Sequence, residues 1–308
     1  MGKLVLQRND NLKKDKFKTM DNVLKIAIPN KGRLSTKIYE LLNAAGLSFE
    51  SKDERCLQIK AQNGKCQIIF VRTQDIPRFL DAKVADIGFT GLDVVTEEGF
   101  DLDVIKRFDF GYCDMVVAVK DTDKYEKTED LPNEINVATS FPNIAKKYFE
   151  SKGKCAKVIE VSGAVEITPN LGLSDVVVDI TSTGSTLKSN NLKIIDKIMD
   201  SSCVIVQRKN LADEKIEQVK SLLLAIDAVL DAKEKKYLMV HVPKEKVDEI
   251  KTFLPGLSSP TVTTLWGDDK NVVVHVVVDK DKIYDSINRL KSIGGQGILI
   301  LTVDQMVR

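Results

Sequence analysis

Hydroxyls, one glycine and one carboxylate crowd the segment VVVDITSTGSTLKSNN, residues 176–191. A β-branched run ends on Asp179 and Ile180, and Thr181, Ser182, Thr183, Gly184, Ser185 and Thr186 follow it. A Ser/Thr cap at a strand-to-helix turn is the plainest account, and α/β proteins use such caps constantly. A cap alone requires neither so many hydroxyls nor an aspartate at their base. A phosphate cradle uses all of them: hydroxyls and successive backbone N–H groups at a helix start wrap the 5-phosphate of a sugar. The acid at the strand end holds the ribose diol, often with Mg²⁺ nearby, and the glycine permits a tight wrap. The loop is not a P-loop, because G-x-x-x-x-G-K-[ST] is absent. It follows the logic of sites for 5-phosphoribosyl pyrophosphate.

Cations are placed to meet such an anion. In IPNKGRLS (28–35) a strand ends in Pro29 and Asn30, and Lys31 and Arg33 flank Gly32 just before a helix. Two positive charges there oppose the helix dipole, so helix stability is a poor reason for them and polyanion binding a better one. A solvated basic turn is the alternative. In VRTQDIPRFLDAKVADIGFTGLD (71–93), Arg72 closes a strand where a guanidinium can reach a carboxylate or phosphate. Asp75 is expected to cap the next helix, Asp86 precedes a strand, and Thr90 with Gly91 makes a second hydroxyl–glycine turn. Arg78 and Lys83 read as solvated. In ATSFPNIAKKYF (138–149), Ser140 or Asn143 is expected to cap a helix that begins near Pro142. Glu166, in EVSGAVEITPNLGLSD (160–175), is either a surface carboxylate or an acceptor for ribose hydroxyls or an amino group.

Composition narrows the chemistry. The chain has 308 residues, enough for two or three domains, with 43% apolar and 30% charged residues. Its 46 basic and 45 acidic residues nearly cancel, which argues against nucleic acid or an anionic membrane as partner. The five cysteines, at 56, 66, 113, 155 and 203, show no C-x-x-C pair and suit a reducing cytoplasm. Residues 1–22 lack a secretory h-region and read as a poorly ordered leader, with Met20 a possible original start. The two histidines are His241 and His275, so residues 23–230 perform no histidine-based triad or histidine–metal chemistry.

Positioning falls to alternating strands and helices. VLKIAIP, KCQIIFVR, ADIGFT, MVVAVK, EINVATS, AKVIEVS, DVVVDI and SCVIVQR read as strands, with helices such as 34–46 and 143–153 between them. This predicts α/β layers with largely parallel sheets. A long amphipathic helix is expected from about Ala212 to Ala232, then a KEKK linker at 233–236. Over 236–308 the pattern becomes strand, helix, strand, strand, helix, strand, a ferredoxin-like or ACT-like module typical of a regulatory appendage.

Taken in order, IAIPNKGRL, ADIGFTGLDVV, VATSFPNIAKKYF, VSGAVEITPNLGLSDVVVDITSTGSTLKSNNL and LPGLSSPTV resemble the ATP phosphoribosyltransferase family, in its long form with an ACT-like C-terminal domain. The resemblance implies a two-lobed, periplasmic-binding-protein-like (type II) core. Lobe I would comprise 23–112 and 205–232, and lobe II 113–204. It implies transfer of a phosphoribosyl group to ATP with Mg²⁺, feedback inhibition by histidine, and dimers that assemble into hexamers. On this basis Lys31, Arg33 and Arg72 are the catalytic cations. Asp179, Thr181, Thr183, Gly184, Ser185 and Thr186, with Asp175, would hold ribose and phosphate, and Asp179 would meet the metal through substrate. Glu166 would contact a ribose or the adenylate, and Asp86 and Gly91 would line the cleft. His241, Leu257, Ser259, Thr261, Gly295 and Gly297 are the expected effector residues. Two positions depart from the family pattern: Asp179 stands without an acidic neighbour, and His241 stands where members often carry Asn or Asp. A solute-binding protein, a non-catalytic sensor and a nucleobase phosphoribosyltransferase are the rival readings.

Overall fold

The computed structural model describes residues 23–49, 57–62, 64–254, 256–257 and 259–307. The leader over 1–22 and Cys56 lie outside the described residues. The chain divides into two compact units, one of residues up to 39 together with 49–216, the other of 40–48 and 217–308.

In the first unit the chain lays down β1 (Leu24–Pro29), β2 (Gln58–Lys60), β3 (Cys66–Val71), β4 (Ile87–Gly91) and β5 (Leu102–Arg107). It then crosses to a second sheet of β6 (Cys113–Lys120), β7 (Glu134–Thr139), β8 (Cys155–Glu160), β9 (Val176–Thr181) and β10 (Leu192–Ser201). It returns as β11 (Cys203–Arg208), which inserts between β4 and β5. The first sheet therefore runs β2-β3-β1-β4-β11-β5 and the second β8-β7-β9-β6-β10. Leaving out the short β2, the two orders are the same: two strands, a third parallel to the first, the incoming strand from the other lobe, then the last. This twofold pattern with two crossovers is the type II periplasmic-binding-protein arrangement.

The sheets are less parallel than expected. β1 pairs in parallel with β3 and β4, and β7 with β8 and β9, but β11 and β6 run antiparallel to both of their neighbours. Each arrives from the other lobe and enters its sheet from the cleft end. Residues 203 and 204, expected in lobe II, belong to β11 of the first sheet. The core of lobe II gathers Met115, Val117, Val137, Phe149, Val176 and Val178 on one face of the second sheet. Lobe I buries Ile69, Ile76, Leu80, Val204 and Val206 together.

The helices of this unit follow strand ends. They are α1 (Ser35–Ala44, whose last five residues belong to the second unit), α2 (Ile76–Asp81), α3 (Leu92–Glu98), α4 (Pro142–Ser151) and α5 (Ser185–Ser189). The expected caps are absent. Asp75 occupies the N-cap of α2 without a side-chain cap bond. Phe141, rather than Ser140 or Asn143, is the N-cap of α4, and the Ser140 hydroxyl donates to the Val161 carbonyl.

The second unit holds most of α6 (Asp213–Lys233) and a four-stranded antiparallel sheet covered by α7 (Val247–Phe253) and α8 (Ile283–Ser292). Its strands are β12 (Lys235–Pro243), β13 (Thr261–Leu265), β14 (Asp268–Asp279) and β15 (Gln296–Thr302). The order β13-β14-β12-β15 is ferredoxin-like. Alternation along β12 and β14 turns Leu238, Val240, Val242, Val272, Val274 and Val276 onto Ile250, Leu254 and Leu290 of the helical layer. The stretch 217–232, expected with lobe I, groups here: the Met306 N–H donates to the Ala228 carbonyl, and the Gln305 amide to the Ala44 carbonyl. Among the described residues no helix is long and apolar enough to cross a membrane.

Candidate active site

Register decides which residues can meet. In the first sheet Pro29 pairs with Val71, and Ala27 with Gly88, so β1, β3 and β4 end along one edge. Lys31, Arg33 and Arg72 follow those ends and Gly91 closes β4, where open α/β sheets place ligands. In the second sheet Thr139 pairs with Val178, and Thr181 with Asp114. The end of β9 thus lies beside the start of β6, where the chain crosses between lobes.

At that crossing the hydroxyl loop meets lobe I. Arg33 Nη1 donates to Ser182 Oγ at 3.0 Å and Nη2 to Cys113 Sγ at 2.8 Å, while Ser182 Oγ donates to the Tyr112 carbonyl at 3.1 Å. Inside the loop the Gly184 N–H donates to Thr181 Oγ1 at 2.8 Å, and Thr183 Oγ1 to Ser185 Oγ at 2.9 Å. Gly184 has φ +73° at the N-cap of α5, and no side chain caps that helix. The left-handed turn suits glycine, and the Ser185 N–H that follows it donates weakly to Thr183 Oγ1 at 3.4 Å. Leu187, Val177 and Val165 bury together beneath the loop and share one base for the loop, β9 and the turn carrying Glu166.

Asp179 is the perturbed acid of this site. Burial raises its pKa from 3.8 to about 6, the bond from the Ile180 N–H opposes the rise, and the Glu166 charge adds to it. A carboxylate held back from ionising by its surroundings gains most from hydroxyl donors or a cation that arrive with a ligand.

The two crossovers between the lobes are packed together by residues that sequence reasoning missed. Gly111, at φ +73°, packs so closely that a Cβ would lie 2.3 Å from Leu34 Cδ2. The Cys203 N–H donates to the Phe110 carbonyl and the Leu92 N–H to the Ser202 carbonyl. Buried Asp93 accepts the Ser201 hydroxyl at 2.6 Å. Gly91 serves this packing, since a Cβ there would lie 2.1 Å from Asp93 Oδ1. Burial raises the Cys113 thiol pKa, and Arg33 partly offsets the rise.

Two expected ligand residues sit elsewhere. Asp86 precedes β4, at the opposite edge of the sheet, and is 2% exposed. It accepts the Lys25 N–H at 2.9 Å and pairs with Arg208 at 3.0 Å and Lys215 at 2.6 Å. It is a buried ion-pair hub; a carboxylate before a strand gave no hint of which partners would fold over it. Asp175 precedes β9, six residues and about 20 Å of strand from Thr181, and accepts the Asn136 N–H at 2.8 Å and its amide at 3.1 Å.

The expected effector residues fall into separate places in the C-terminal sheet. His241 pairs with Gln296, and a Cβ on Gly297 would sit 3.8 Å from its ring. Leu257 lines a small pocket with Lys235, Asp279 and Lys282, at the other end of β12. Both lysines hold the Asp279 pKa down to about 2. Thr261 pairs with His275 on edge strand β13, two strands from His241, and Ser259 precedes that strand. Gly295 packs against helix α8, where a Cβ would lie 2.6 Å from the Leu290 carbonyl.

Comparison with known proteins gives the family. Residues 72–228 match the family described as ATP phosphoribosyltransferase, and residues 232–305 match the HisG C-terminal domain. An ATP phosphoribosyltransferase of Methanocaldococcus jannaschii is 38% identical over 289 residues, covering 92% of this chain and 100% of that protein. One from Gemmatimonas aurantiaca is 40% identical over 292 residues, with the same coverages of 92% and 100%. A solved ATP phosphoribosyl transferase (HisG:HisZ) complex from Thermotoga maritima superposes with a TM-score of 0.57 at 34% identity, covering 67% of this chain and 99% of that one. The chain belongs to the ATP phosphoribosyltransferase family, in the long form that carries the HisG C-terminal domain.

Proposed function

We propose that the cleft between the lobes condenses ATP with 5-phosphoribosyl 1-pyrophosphate, giving phosphoribosyl-ATP and pyrophosphate, as the first step of histidine biosynthesis. The observation that carries this reading is the hydroxyl loop at the end of β9, reached from the other lobe by Arg33. The Thr181–Thr186 loop takes the 5-phosphate through hydroxyls and first-turn N–H groups of α5. Asp179 accepts the ribose diol, with Glu166 beside it. A ring nitrogen of adenine forms the new bond to the anomeric carbon as the bond to the pyrophosphate oxygen breaks, through an oxocarbenium-like state. The nucleophile needs no activating base, which suits a core without histidine. The protein orients the two substrates and meets the negative charge on departing pyrophosphate with Lys31, Arg33 and Arg72.

Mg²⁺ fits this donor set as a substrate-borne ion. Among the described residues no three His, Cys, Asp or Glu side chains are grouped to hold a metal by themselves. Asp179, through the substrate it holds, and Glu166 beside it would offer carboxylates to an Mg²⁺ that also takes phosphate oxygens and waters. Bound there, it would neutralise pyrophosphate charge.

The fold supports a division of labour: lobe I brings the cations, lobe II the phosphoribosyl site, and residues 236–308 the regulation. Histidine would inhibit through that C-terminal module. The enzyme would work in the cytoplasm as a homo-oligomer, dimeric to hexameric. The test is an assay with ATP, phosphoribosyl pyrophosphate and Mg²⁺ that follows the adduct's ultraviolet absorbance, with and without millimolar histidine. Mg²⁺-dependent turnover suppressed by histidine is expected. Turnover indifferent to histidine would remove the effector reading, and binding without turnover would point to a sensor on the same fold.

A further inference from the structure

Helix α4 starts without a cap of its own. Its N-cap residue is Phe141, Pro142 has no N–H, and the nearby hydroxyls are committed: Ser140 donates to the Val161 carbonyl, and Thr139 Oγ1 accepts the Phe141 N–H. The first free donors of the helix are the Asn143 and Ile144 N–H groups. Both go to one carboxylate, Glu97, at 2.9 Å to Oε1 and 3.0 Å to Oε2. The Asn143 amide adds a third bond, to the Glu97 carbonyl at 3.0 Å. Glu97 lies in the last turn of α3, in lobe I, whereas α4 belongs to lobe II. Its neighbour Glu98 turns away and is held by Arg78 at 2.9 Å and 3.0 Å.

The missing cap is therefore supplied across the cleft. A carboxylate on two first-turn N–H groups is favoured by charge and by the helix dipole together. These bonds are directional and exist only when the lobes approach. α3 and α4 follow β4 and β7, which run parallel to β1 and β9 and so end on the same side of their sheets as the strands leading to Arg33 and the hydroxyl loop. With Arg33 on Ser182, the Glu97 contact makes a second fixed point between the lobes.

We propose that Glu97 is a positioning residue, a latch that holds lobe II, and with it the Thr181–Thr186 loop, closed against the cations of lobe I. Substrate must part this latch to enter, and its re-closure restores the angle at which Arg33 reaches the loop. The inference rests on the phosphoribosyl-transfer reading for its kinetic consequence and on geometry alone for its structural one.

The test compares wild type, Glu97→Ala and Glu97→Gln in the full chain, by hydrogen–deuterium exchange and by titration with phosphoribosyl pyrophosphate. The expected result is exchange about tenfold faster in the peptide holding Asn143 and Ile144 in Glu97→Ala, with faster exchange also over 181–189. Glu97→Gln, which keeps one acceptor oxygen, should fall between. Affinity for phosphoribosyl pyrophosphate should weaken by about fivefold or more, as expected when the closed state is less populated. At saturation kcat should stay within about twofold of wild type. Unchanged exchange at 143–144 would show that the contact does not form in solution and would overturn the proposal. Faster exchange confined to α4, with affinity unchanged, would reduce Glu97 to a helix cap and overturn it equally. Absence of any turnover would sink the transfer reading while the exchange data still judged the latch.

Discussion

Replacing Asp179 by asparagine should stabilise the protein and disable it, and the two effects have one cause. The acid titrates near 6 in the folded chain instead of 3.8, chiefly through burial. A raised carboxyl pKa means that the folded state prefers the protonated form. Its contribution is intact below pH 3.8, is lost as pH rises toward 6, and leaves a constant penalty above that. At 1.4 kcal/mol per pH unit the penalty is about 3 kcal/mol as an upper bound, because Asp179 is only partly shielded from solvent. Asparagine does not ionise and can still accept the Ile180 N–H. Relative to wild type, its melting temperature should therefore gain nothing near pH 4 and rise by up to about 6–12 °C near pH 8, at roughly 2–4 °C per kcal/mol. Protein concentration must be held fixed, since oligomerisation shifts the transition. Activity should move oppositely. Losing a charged acceptor for the ribose diol should lower kcat/KM for phosphoribosyl pyrophosphate by about 10- to 150-fold. In wild type the same parameter should fall about tenfold per pH unit below 6, as the carboxylate is protonated. Equal pH profiles of stability for the two proteins would refute the burial argument. A more stable variant with undiminished turnover would refute the diol contact.

Asp86→Ala should cost about 3–5 kcal/mol by stranding Arg208 and Lys215, read as a lower melting temperature or soluble yield with KM for phosphoribosyl pyrophosphate unchanged in the folded fraction. A raised KM at an unchanged melting temperature would instead return Asp86 to the cleft. Gly184→Ala has room for its Cβ, the nearest side-chain atom being Ile194 Cδ1 at 3.8 Å, but must hold φ +73°. A cost of about 1–2 kcal/mol, concentrated in the loop, should raise KM for phosphoribosyl pyrophosphate roughly 5- to 30-fold. An unchanged KM would mean that the left-handed turn is dispensable.

The parts that local pattern controls were legible. β-branched runs bounded by turn residues marked β1, β3, β4, β6 to β9 and β11, and the alternation in 236–308 marked the ferredoxin-like order. β5 and β10 escaped because their burial does not alternate cleanly: Leu102–Arg107 is mostly half-buried, and β10 carries two irregularities in its register. The site divided the same way. Lys31, Arg33, Arg72 and the loop after Thr181 follow strand ends, and Asp179 lies in the last half of β9, a placement that strand-then-turn spacing encodes. Asp86 and Asp175 precede their strands, and the length of the strand separates them from the edge where the hydroxyl loop and cations lie. Glu97, Asp93 and Ser201 were invisible because each acts on a partner tens of residues away, set by how the lobes meet.

The most direct test of the central claim is quantification by ³¹P NMR of the products formed from ATP, phosphoribosyl pyrophosphate and Mg²⁺ by wild type and by the Thr183→Val/Ser185→Ala double variant. Wild type should form phosphoribosyl-ATP and pyrophosphate in equal amounts, and a variant that remains folded should form strongly reduced amounts of both. Undiminished product from the variant, or pyrophosphate released without an adduct, would contradict it.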